Sequence, residues 1–290
     1  MEEEVVINEE KKKFGFLAKF FFILLIFALL LISYMYLIEP KLCITHEVAI
    51  VEPSLPDSFN GFKIVQFSDI HFGRTTNEVE VKKVVQEINV AKPDLLVFTG
   101  DLFDSYINLS EDNVNFLKEE LSKTTATIGK YAIRGDSDYL HTDKFEEIMQ
   151  AAGFTILDNL NVPIYYKDTT PIYLSGIPSV TQGGQDFTKA FAKEVDGNFF
   201  QILLVHEPII WKQVQSKTHL VLAGHSLGGL VRIPFVGGLV KKDNIGDYEI
   251  GKFENGNSIM YVSNGIGTEN LSLRFFNIPS ITLYRLYNYE

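Results

Sequence analysis

The sequence has a single cysteine and fewer basic than acidic residues. Cys43 is the only cysteine, so no disulfide can form within the chain, although this leaves the cellular compartment open. Basic residues are outnumbered, because 26 Lys and Arg stand against 37 Asp and Glu, for a formal net charge of -11. Nucleic-acid-binding domains normally present clustered Lys and Arg, so no nucleic-acid partner is expected.

Charge is absent from one long segment near the N-terminus. Phe20 to Ile38 is a run of 19 uncharged, mostly apolar residues. As a helix it would rise about 28 Å, close to the thickness of the hydrocarbon core of a bilayer. A cleaved signal peptide is the alternative, but its apolar region is shorter and ends in a small-residue cleavage site. This run continues into Glu39-Pro40, and we predict a single transmembrane anchor at residues 20–38.

The basic residues beside this anchor predict its orientation. Lys11, Lys12, Lys13 and Lys19 all precede the run. The positive-inside rule then predicts a cytoplasmic tail at residues 1–19 and an extracytoplasmic domain at residues 44–290. About 250 residues are enough for one large α/β domain with a substantial core.

Apolar strands alternate with helical patterns along this domain. The strand at residues 62–67 is followed by helical spacing over residues 79–90, and this alternation continues to residue 152. Several strands end in Asp, His and Gly, and the carboxyl ends of strands are where α/β sheets build their sites. The polar residues at these ends are Asp69, His71, Asp101, Asp104, Asp136, Asp138, His206 and His225.

The residue types at these strand ends indicate a metal site. A single Asp or His at a strand end is more often a turn former or a cap. Turn formation and capping do not readily explain why carboxylates and imidazoles recur at five strand ends. Together these side chains suit one or two divalent ions such as Mn, Fe or Zn.

The order and spacing of these residues resemble the calcineurin-like metallophosphoesterases. The motifs Asp69-Ile70-His71 and Gly100-Asp101-Leu102-Phe103-Asp104 look like the D-x-H and G-D-x-x-D of that family. The blocks Gly135–Asp138, His206–Pro208 and Gly224–Gly229 stand where the family has G-N-H-D, an isolated His and G-H-x-H-G-G. The C-terminal stretch from Tyr261 to Pro279 is similar to the membrane-anchored branch of YkuE- and YaeI-type phosphodiesterases.

The resemblance implies a fold and a set of ligands. The expected fold is α/β, with two facing mixed β-sheets flanked by helices, preceded here by the transmembrane helix. The first metal would take Asp69, His71 and Asp101. The second would share Asp101 and add three further ligands, Asp136, His206 and His225. Asp104 would fix a loop rather than bind metal.

Three departures from the family motifs affect the expected activity. Asp136 stands where the family has an amide ligand, and Ser137 stands where it has a phosphate-contacting His. Leu227 replaces a His ligand of the first metal and cannot bind an ion. We take Asp101, Ser137 and Asp138 as candidate catalytic residues, although a serine hydroxyl cannot carry a proton near neutral pH.

A second motif overlaps the last block. Residues 224–228 also spell G-x-S-x-G, the nucleophile elbow of α/β-hydrolases. That elbow opens a helix and needs a His later in the chain, but residues 230–234 have an extended pattern and no His follows His225. The serine-hydrolase hypothesis is therefore disfavoured, and His46, His141 and His219 are assigned to the surface or the framework.

Two functions remain after these comparisons of motifs. The favoured one is a membrane-anchored, metal-dependent hydrolase of phosphoester or pyrophosphate bonds. The resemblance implies a phosphate-containing substrate that is lipid-linked or part of the cell envelope. The alternative is a weakened or inactive member that binds a phosphate-bearing lipid or envelope ligand, or a protein partner.

Overall fold

The computed structural model describes residues 2–191 and 199–289. Helix α1, Glu2–Ser33, continues through a π-turn at Tyr34–Ile38 and a 3-10 turn at Glu39–Lys41. Within residues 14–41 the most apolar 18-residue window has a mean hydropathy of 2.8, and none of its residues is buried. The segment is thus long and apolar enough to cross a membrane, as the sequence predicts.

The first sheet contains six strands in the order β1-β14-β2-β3-β4-β5. All neighbours are parallel except β14 and β2, which pair antiparallel. The outer face is covered by helices α2, α3 and α4 at Glu78–Ala91, Glu111–Ser122 and Thr142–Ala151. The strands are β1 Ile44–Val51, β2 Lys63–Phe67, β3 Leu95–Phe98, β4 Gly129–Ala132, β5 Thr155–Ile156 and β14 Ser280–Tyr287.

The second sheet also has six strands, in the order β12-β13-β9-β8-β7-β6. Its centre is parallel, whereas β12 and β6 pair antiparallel at the two edges. Short helices α5 and α6, Phe187–Ala190 and Trp211–Val214, pack on its outer face. The strands are β6 Leu160–Ile164, β7 Ile172–Ile177, β8 Gln201–Val205, β9 Leu220–Ala223, β12 Gly251–Asn255 and β13 Ser258–Val262. A small hairpin, β10 Arg232–Ile233 and β11 Gly237–Gly238, lies between β9 and β12.

The two sheets face each other across one apolar core. Ile64 and Val97 from the first sheet share this core with Leu174, Leu204 and Leu222 from the second. A second cluster fills the space under α2, α3 and α4. Burial of these apolar faces is the main contribution to the stability of the layered arrangement. The structure confirms the predicted fold class of two mixed sheets flanked by helices.

A buried polar side chain joins the sheets near their common edge. Gln66 of β2 donates to the Thr99 hydroxyl at 2.9 Å and to the Ala223 carbonyl oxygen at the end of β9 at 3.0 Å. The Tyr284 hydroxyl donates to the Gln66 side-chain oxygen at 2.7 Å. Because a buried amide is costly unless it is hydrogen-bonded, this network favours one relative position of the two sheets. It thereby brings the ends of β2, β3, β8 and β9 together.

Candidate metal centre

The loops that follow five strands converge at this edge of the two sheets. Asp69, His71 and Asp101 follow β2 and β3 with backbone φ angles of 54°, 48° and 62°, and His225 follows β9 with a φ of 68°. Left-handed backbone is uncommon for residues other than glycine and costs about 1–3 kcal/mol at each position. Strain concentrated at four neighbouring polar residues is typical of a functional site.

Glycines allow these loops to approach one another closely. A Cβ atom at Gly135 would overlap Asp101 Oδ1 and lie 2.7 Å from His206 Cε1. A Cβ at Gly224 would overlap the Ser68 hydroxyl. The glycines of the sequence motifs are therefore required by the packing of the site itself.

Four side chains form the first set, which we name the four-donor group: Asp101, Asp136, His206 and His225. One donor atom from each lies within 4.8 Å of all the others. His206 Nε2 is 3.3 Å from Asp101 Oδ2 and 3.1 Å from Asp136 Oδ1. His225 Nδ1 is 3.2 Å from Asp136 Oδ1 and 3.2 Å from His206 Nε2.

Backbone carbonyl groups orient both imidazoles of this group. His206 Nδ1 donates to the Thr99 carbonyl oxygen at 2.7 Å, which turns Nε2 toward the carboxylates. His225 Nε2 donates to the Asp243 carbonyl oxygen at 2.9 Å, which turns Nδ1 inward. A hydrogen bond on the far nitrogen is the usual arrangement of a metal-binding histidine. It fixes both the ring and the tautomer.

The charges in the four-donor group favour a bound cation. Burial alone would lower the pKa of His206, but the carboxylates of Asp101 and Asp136 raise it well above its ordinary value. Burial alone would likewise raise the pKa of Asp136, but the hydrogen bonds from His206 and His225 lower it. A divalent ion at the centre would stabilise the same carboxylates that a proton on His206 stabilises, with the imidazole neutral. The donor set therefore fits a divalent metal.

The second set, the three-donor group, contains Asp69, His71 and again Asp101. His71 Nε2 lies 3.6 Å from Asp101 Oδ2, and these two buried atoms have no hydrogen-bond partner among the described residues. Unpartnered buried donors and acceptors require an explanation. A cation near Asp101 Oδ2 provides one.

Leu227 lies beside the three-donor group and adds no ligand. Its side chain is 1% exposed. A Cβ at Gly265 would lie 3.0 Å from Leu227 Cδ2 and 2.8 Å from Asp69 Cβ, so the two side chains border the same narrow space. Leu227 therefore lies near Asp69 without supplying a donor atom.

A charged residue that the sequence did not predict, Lys242, also lies at the centre. Its ammonium lies 3.9 Å from Asp101 Oδ2 and 2.6 Å from Glu269 Oε1. Burial alone would lower its pKa, but Asp101 and Glu269 raise it above the ordinary value, so the ammonium stays charged. Lys242 belongs to a loop between β11 and β12 without a recognisable motif. Only the three-dimensional structure brings it to the site.

Ser137 and Asp138 both contact the loop of Asp101. The Ser137 hydroxyl and backbone N–H donate to Asp101 Oδ1 at 2.8 and 2.9 Å. The Asp138 carboxylate accepts from the backbone N–H groups of Asp101, Leu102 and Gly135 at 2.8–2.9 Å. Burial and the charge of Asp101 raise the pKa of Asp138 to about 8, against the opposing effect of these N–H donors. Asp138 thus joins two loops.

Two other residues of the sequence motifs, Asp104 and Ser226, have structural contacts. Asp104 accepts from the Tyr106 N–H at 2.9 Å, as expected of a residue that fixes a loop. Ser226 is buried and donates to the Ser263 carbonyl oxygen at 3.1 Å. The chain after it forms a short 3-10 turn and the strand β10 rather than a long helix. These features agree with the rejection of a serine nucleophile.

A cleft opens beside the three-donor group. It has a volume of about 140 Å³ and is lined by His71, Arg74, Tyr106 and Glu269 among others. The Arg74 guanidinium lies 5.1 Å from the centre of the Tyr106 ring and donates to Asn270 Oδ1 at 3.2 Å. Arginine recognises phosphate oxygens well because of its planar array of donors. The cleft thus offers a place for a phosphate-bearing molecule.

The comparison with known proteins identifies the family. The sequence profile of the calcineurin-like phosphoesterases matches residues 62–236. The chain is also 33% identical over 257 residues to the uncharacterised metallophosphoesterase YkuE of Bacillus subtilis (strain 168), covering 88% of this chain and 89% of that protein. The chain belongs to the calcineurin-like metallophosphoesterases. It is accordingly a hydrolase, as the sequence predicts.

Two further relatives are similar over most of this chain. A transmembrane protein with a metallophosphoesterase domain from Danio rerio is 28% identical over 252 residues, which cover 81% of this chain and 55% of that protein. The UDP-2,3-diacylglucosamine pyrophosphatase LpxG of Chlamydia muridarum (strain MoPn / Nigg) is 25% identical over 287 residues, which cover 80% of this chain and 86% of that protein. The six predicted ligand residues come together in the structure, but their role as ligands stays a prediction.

Proposed function

We propose that this metallophosphoesterase hydrolyses phosphoester or pyrophosphate bonds of a lipid-linked substrate at a membrane surface. One observation carries the proposal. Asp101 belongs to both donor groups, and its Oδ2 atom is buried without a hydrogen-bond partner among the described residues. A buried carboxylate oxygen without a hydrogen-bond partner is suited to bind a cation rather than to stabilise the fold.

Some residues of the site would bind the cation or the substrate, and others orient the side chains that do so. The imidazoles of His206 and His225 present ring nitrogens to the centre because carbonyl groups hold their other nitrogens. Ser137 keeps the Asp101 carboxylate in position through Oδ1, which leaves Oδ2 for a cation. A bound divalent ion would supply Lewis-acid stabilisation of the charge on the phosphoryl oxygens. Arg74 lies in the cleft beside them and would bind the remaining phosphate oxygens of the substrate.

The end of the apolar helix is connected to the loops of the site. The Arg274 backbone N–H donates to the Met35 carbonyl oxygen at 3.1 Å, and the Asn277 N–H donates to the buried Glu39 carboxylate at 2.6 Å. The Arg274 guanidinium also donates to the carbonyl oxygens of Gly265 and Gly267, two residues before Glu269. These contacts support a retained anchor rather than a cleaved leader. They also support a site held close to the membrane.

Exposed apolar side chains lie near the same end of the helix. Phe235 and Val236 form the exposed tip of the β10–β11 hairpin, and Phe276 is 63% exposed. The hairpin is tied to this region because the Arg232 N–H donates to the Phe275 carbonyl oxygen at 2.8 Å. Grouped exposed apolar side chains are typical of an interaction surface. A bilayer beside the anchor would cover them, which supports a lipid-linked substrate.

Two substitutions favour the alternative of a binding protein with little turnover. Leu227 adds no ligand to the three-donor group, and the Ser137 hydroxyl is already engaged by Asp101. Such a protein would hold a phosphate-bearing lipid at the same cleft without cleaving it.

The decisive experiment measures hydrolysis by the full chain in detergent. We expect slow, Mn-dependent cleavage of bis-p-nitrophenyl phosphate, and faster cleavage of a lipid pyrophosphate presented in mixed micelles. Asp101→Asn is the control for contaminating phosphatases and should be inactive. Binding of the lipid pyrophosphate without any Asp101-dependent cleavage would instead favour the binding protein.

The orientation of the domain requires a different probe from the native thiol. Burial raises the pKa of Cys43 to about 12, so this thiol would react slowly with maleimides. In a Cys43→Ser background, Asn257→Cys places a thiol in an exposed turn between β12 and β13. We expect labelling of intact cells by an impermeant maleimide at Asn257→Cys and none at Asn8→Cys. The reverse pattern would place the domain in the cytoplasm.

A further inference from the structure

Lys242 is the one lysine of the described residues whose ammonium lies beside the Asp101 carboxylate. Its side chain is 12% exposed, whereas that of the neighbouring Lys241 is 63% exposed. The ammonium lies 3.9 Å from Asp101 Oδ2 and pairs with Glu269 at 2.6 Å. Glu269 lines the same cleft as His71. The buried ammonium of Lys242 therefore lies beside Asp101, the residue that both donor groups share, and is paired with a residue of the cleft.

The surroundings of Lys242 explain why a buried ammonium is stable there. Burial of an unpaired cation is costly, but carboxylates lie on several sides of this one. Asp101, Glu269, Asp136 and Asp69 all act on it electrostatically. The ammonium accordingly compensates negative charge at the centre.

The same position conflicts with a divalent ion in the three-donor group. An ion bound to a carboxylate oxygen lies about 2.0–2.2 Å from it. With the ammonium 3.9 Å from Asp101 Oδ2, the two cations would be separated by at most about 6 Å. Their repulsion in a buried site is strong because the effective dielectric constant is low.

The two groups are not equally able to overcome this repulsion. The four-donor group offers two carboxylates and two oriented imidazoles. The three-donor group offers three donors, and Leu227, which lies near Asp69, supplies none. An ion in the four-donor group therefore retains a full set of protein ligands, whereas one in the three-donor group does not.

We propose that the Lys242 ammonium is the resident cation of the three-donor group, and that the protein binds a single divalent ion, in the four-donor group. Asp101 Oδ2 then interacts with the ion on one side and with the ammonium on the other. The inference rests on the proposed metal-dependent function and specifies its ion content.

The test is the metal content of the full chain in detergent, measured by elemental analysis after loading with Mn and desalting. We expect one equivalent in the wild type and in Lys242→Arg, which keeps the cation. Lys242→Met with Leu227→His removes the cation and adds a ligand, so it should hold two. Lys242→Met alone should bind a second ion at least about ten-fold more tightly than the wild type does, as expected from removing a nearby like charge.

Lys241→Met is the matched control, because it removes the same charge one residue away at the exposed ion pair with Glu249. It should stay at one equivalent. Two equivalents of metal in the wild type would overturn the inference. So would a single equivalent in the Lys242→Met and Leu227→His double variant, if its melting temperature is unchanged. Either result would leave the metal-dependent function standing. No bound metal in any variant would overturn both.

Discussion

The four-donor and three-donor groups share Asp101 but differ in how their other residues are held. His206 and His225 each donate to a backbone carbonyl oxygen, so their inward nitrogens are fixed. His71 Nε2 is buried without a hydrogen-bond partner among the described residues. Leu227 and Lys242 border the three-donor group. Similar Asp and His residues therefore form one set of donors that is well oriented for an ion and one that is not, and the difference lies in their surroundings.

The largest expected effect comes from the residue that both groups share. Asp101→Asn keeps the shape of the side chain and removes the charge next to His206, His71 and Lys242. We expect metal affinity to fall more than about 100-fold, beyond the usual loss for residues that only support a ligand, and turnover to become undetectable. Asp69→Asn is the comparison, because Asp69 belongs to the three-donor group alone and the amide oxygen of Asn can still accept the hydrogen bond from the His225 N–H. Equal losses of bound metal in the two variants would contradict the difference between the groups.

The second prediction concerns Ser137, which contacts Asp101 but cannot carry a proton near neutral pH. Ser137→His places an imidazole beside the Asp101 carboxylate. Since positioned proton transfer typically contributes 10²- to 10⁴-fold, we expect kcat for bis-p-nitrophenyl phosphate to rise by about 100-fold, with a small change in KM. Ser137→Gln controls for side-chain size. A rise of similar size in Ser137→Gln would show that proton transfer is not the cause.

The third prediction separates the two groups through their histidines. His225→Gln removes an oriented donor of the four-donor group, and we expect Mn affinity to fall by about 10- to 100-fold. His71→Gln removes a donor of the three-donor group and should leave both the affinity and the number of bound ions nearly unchanged. Isothermal titration of the two variants measures both quantities. A larger loss in His71→Gln would reverse the assignment of the occupied group.

Much of this arrangement follows from local sequence signals. The strand at residues 62–67 and the helical spacing at residues 79–90 correspond to β2 and α2, at Lys63–Phe67 and Glu78–Ala91. Because the carboxyl ends of neighbouring parallel strands meet at one edge of a sheet, the proximity of Asp69 to Asp101 was predictable. The family resemblance added His206 and His225 from the second sheet. These residues follow β8 and β9, which are parallel neighbours in the second sheet.

Lys242 was not predictable for a physical reason. It lies in an irregular loop, 141 residues after Asp101 in the sequence, and no periodicity positions such a side chain. Its approach depends on the packing of the hairpin against the turn at Leu227–Gly229, where a Cβ at Gly229 would lie 2.6 Å from Gly238 Cα. The ion pair with Glu269 adds a second long-range contact. Charges brought together by tertiary packing leave no local pattern in the sequence.

The smallest expected effect is on stability, at the residue after His206. Glu207 is buried and accepts hydrogen bonds from the Ser179 hydroxyl and from the N–H groups of Val180 and Thr181. Burial alone would raise its pKa, but the charge of His206 and these hydrogen bonds lower it. This carboxylate therefore fixes the loop that presents His206, on the side of the four-donor group.

The lowered pKa determines the pH dependence of this stabilisation. An unfolded Glu has a pKa of about 4.3, so the contribution of Glu207 is complete above that pH and is lost as the pH falls through the lower folded value. Glu207→Gln should reduce the free energy of unfolding by about 1–3 kcal/mol at pH 7, the usual range for a hydrogen bond to a charged group, and by less near pH 4. Chemical denaturation of the metal-free protein at both values measures the difference, with the exposed Glu254→Gln as control. An equal loss at the two pH values would show that the stabilisation does not depend on the charge of Glu207, and that His206 is held in place by packing alone.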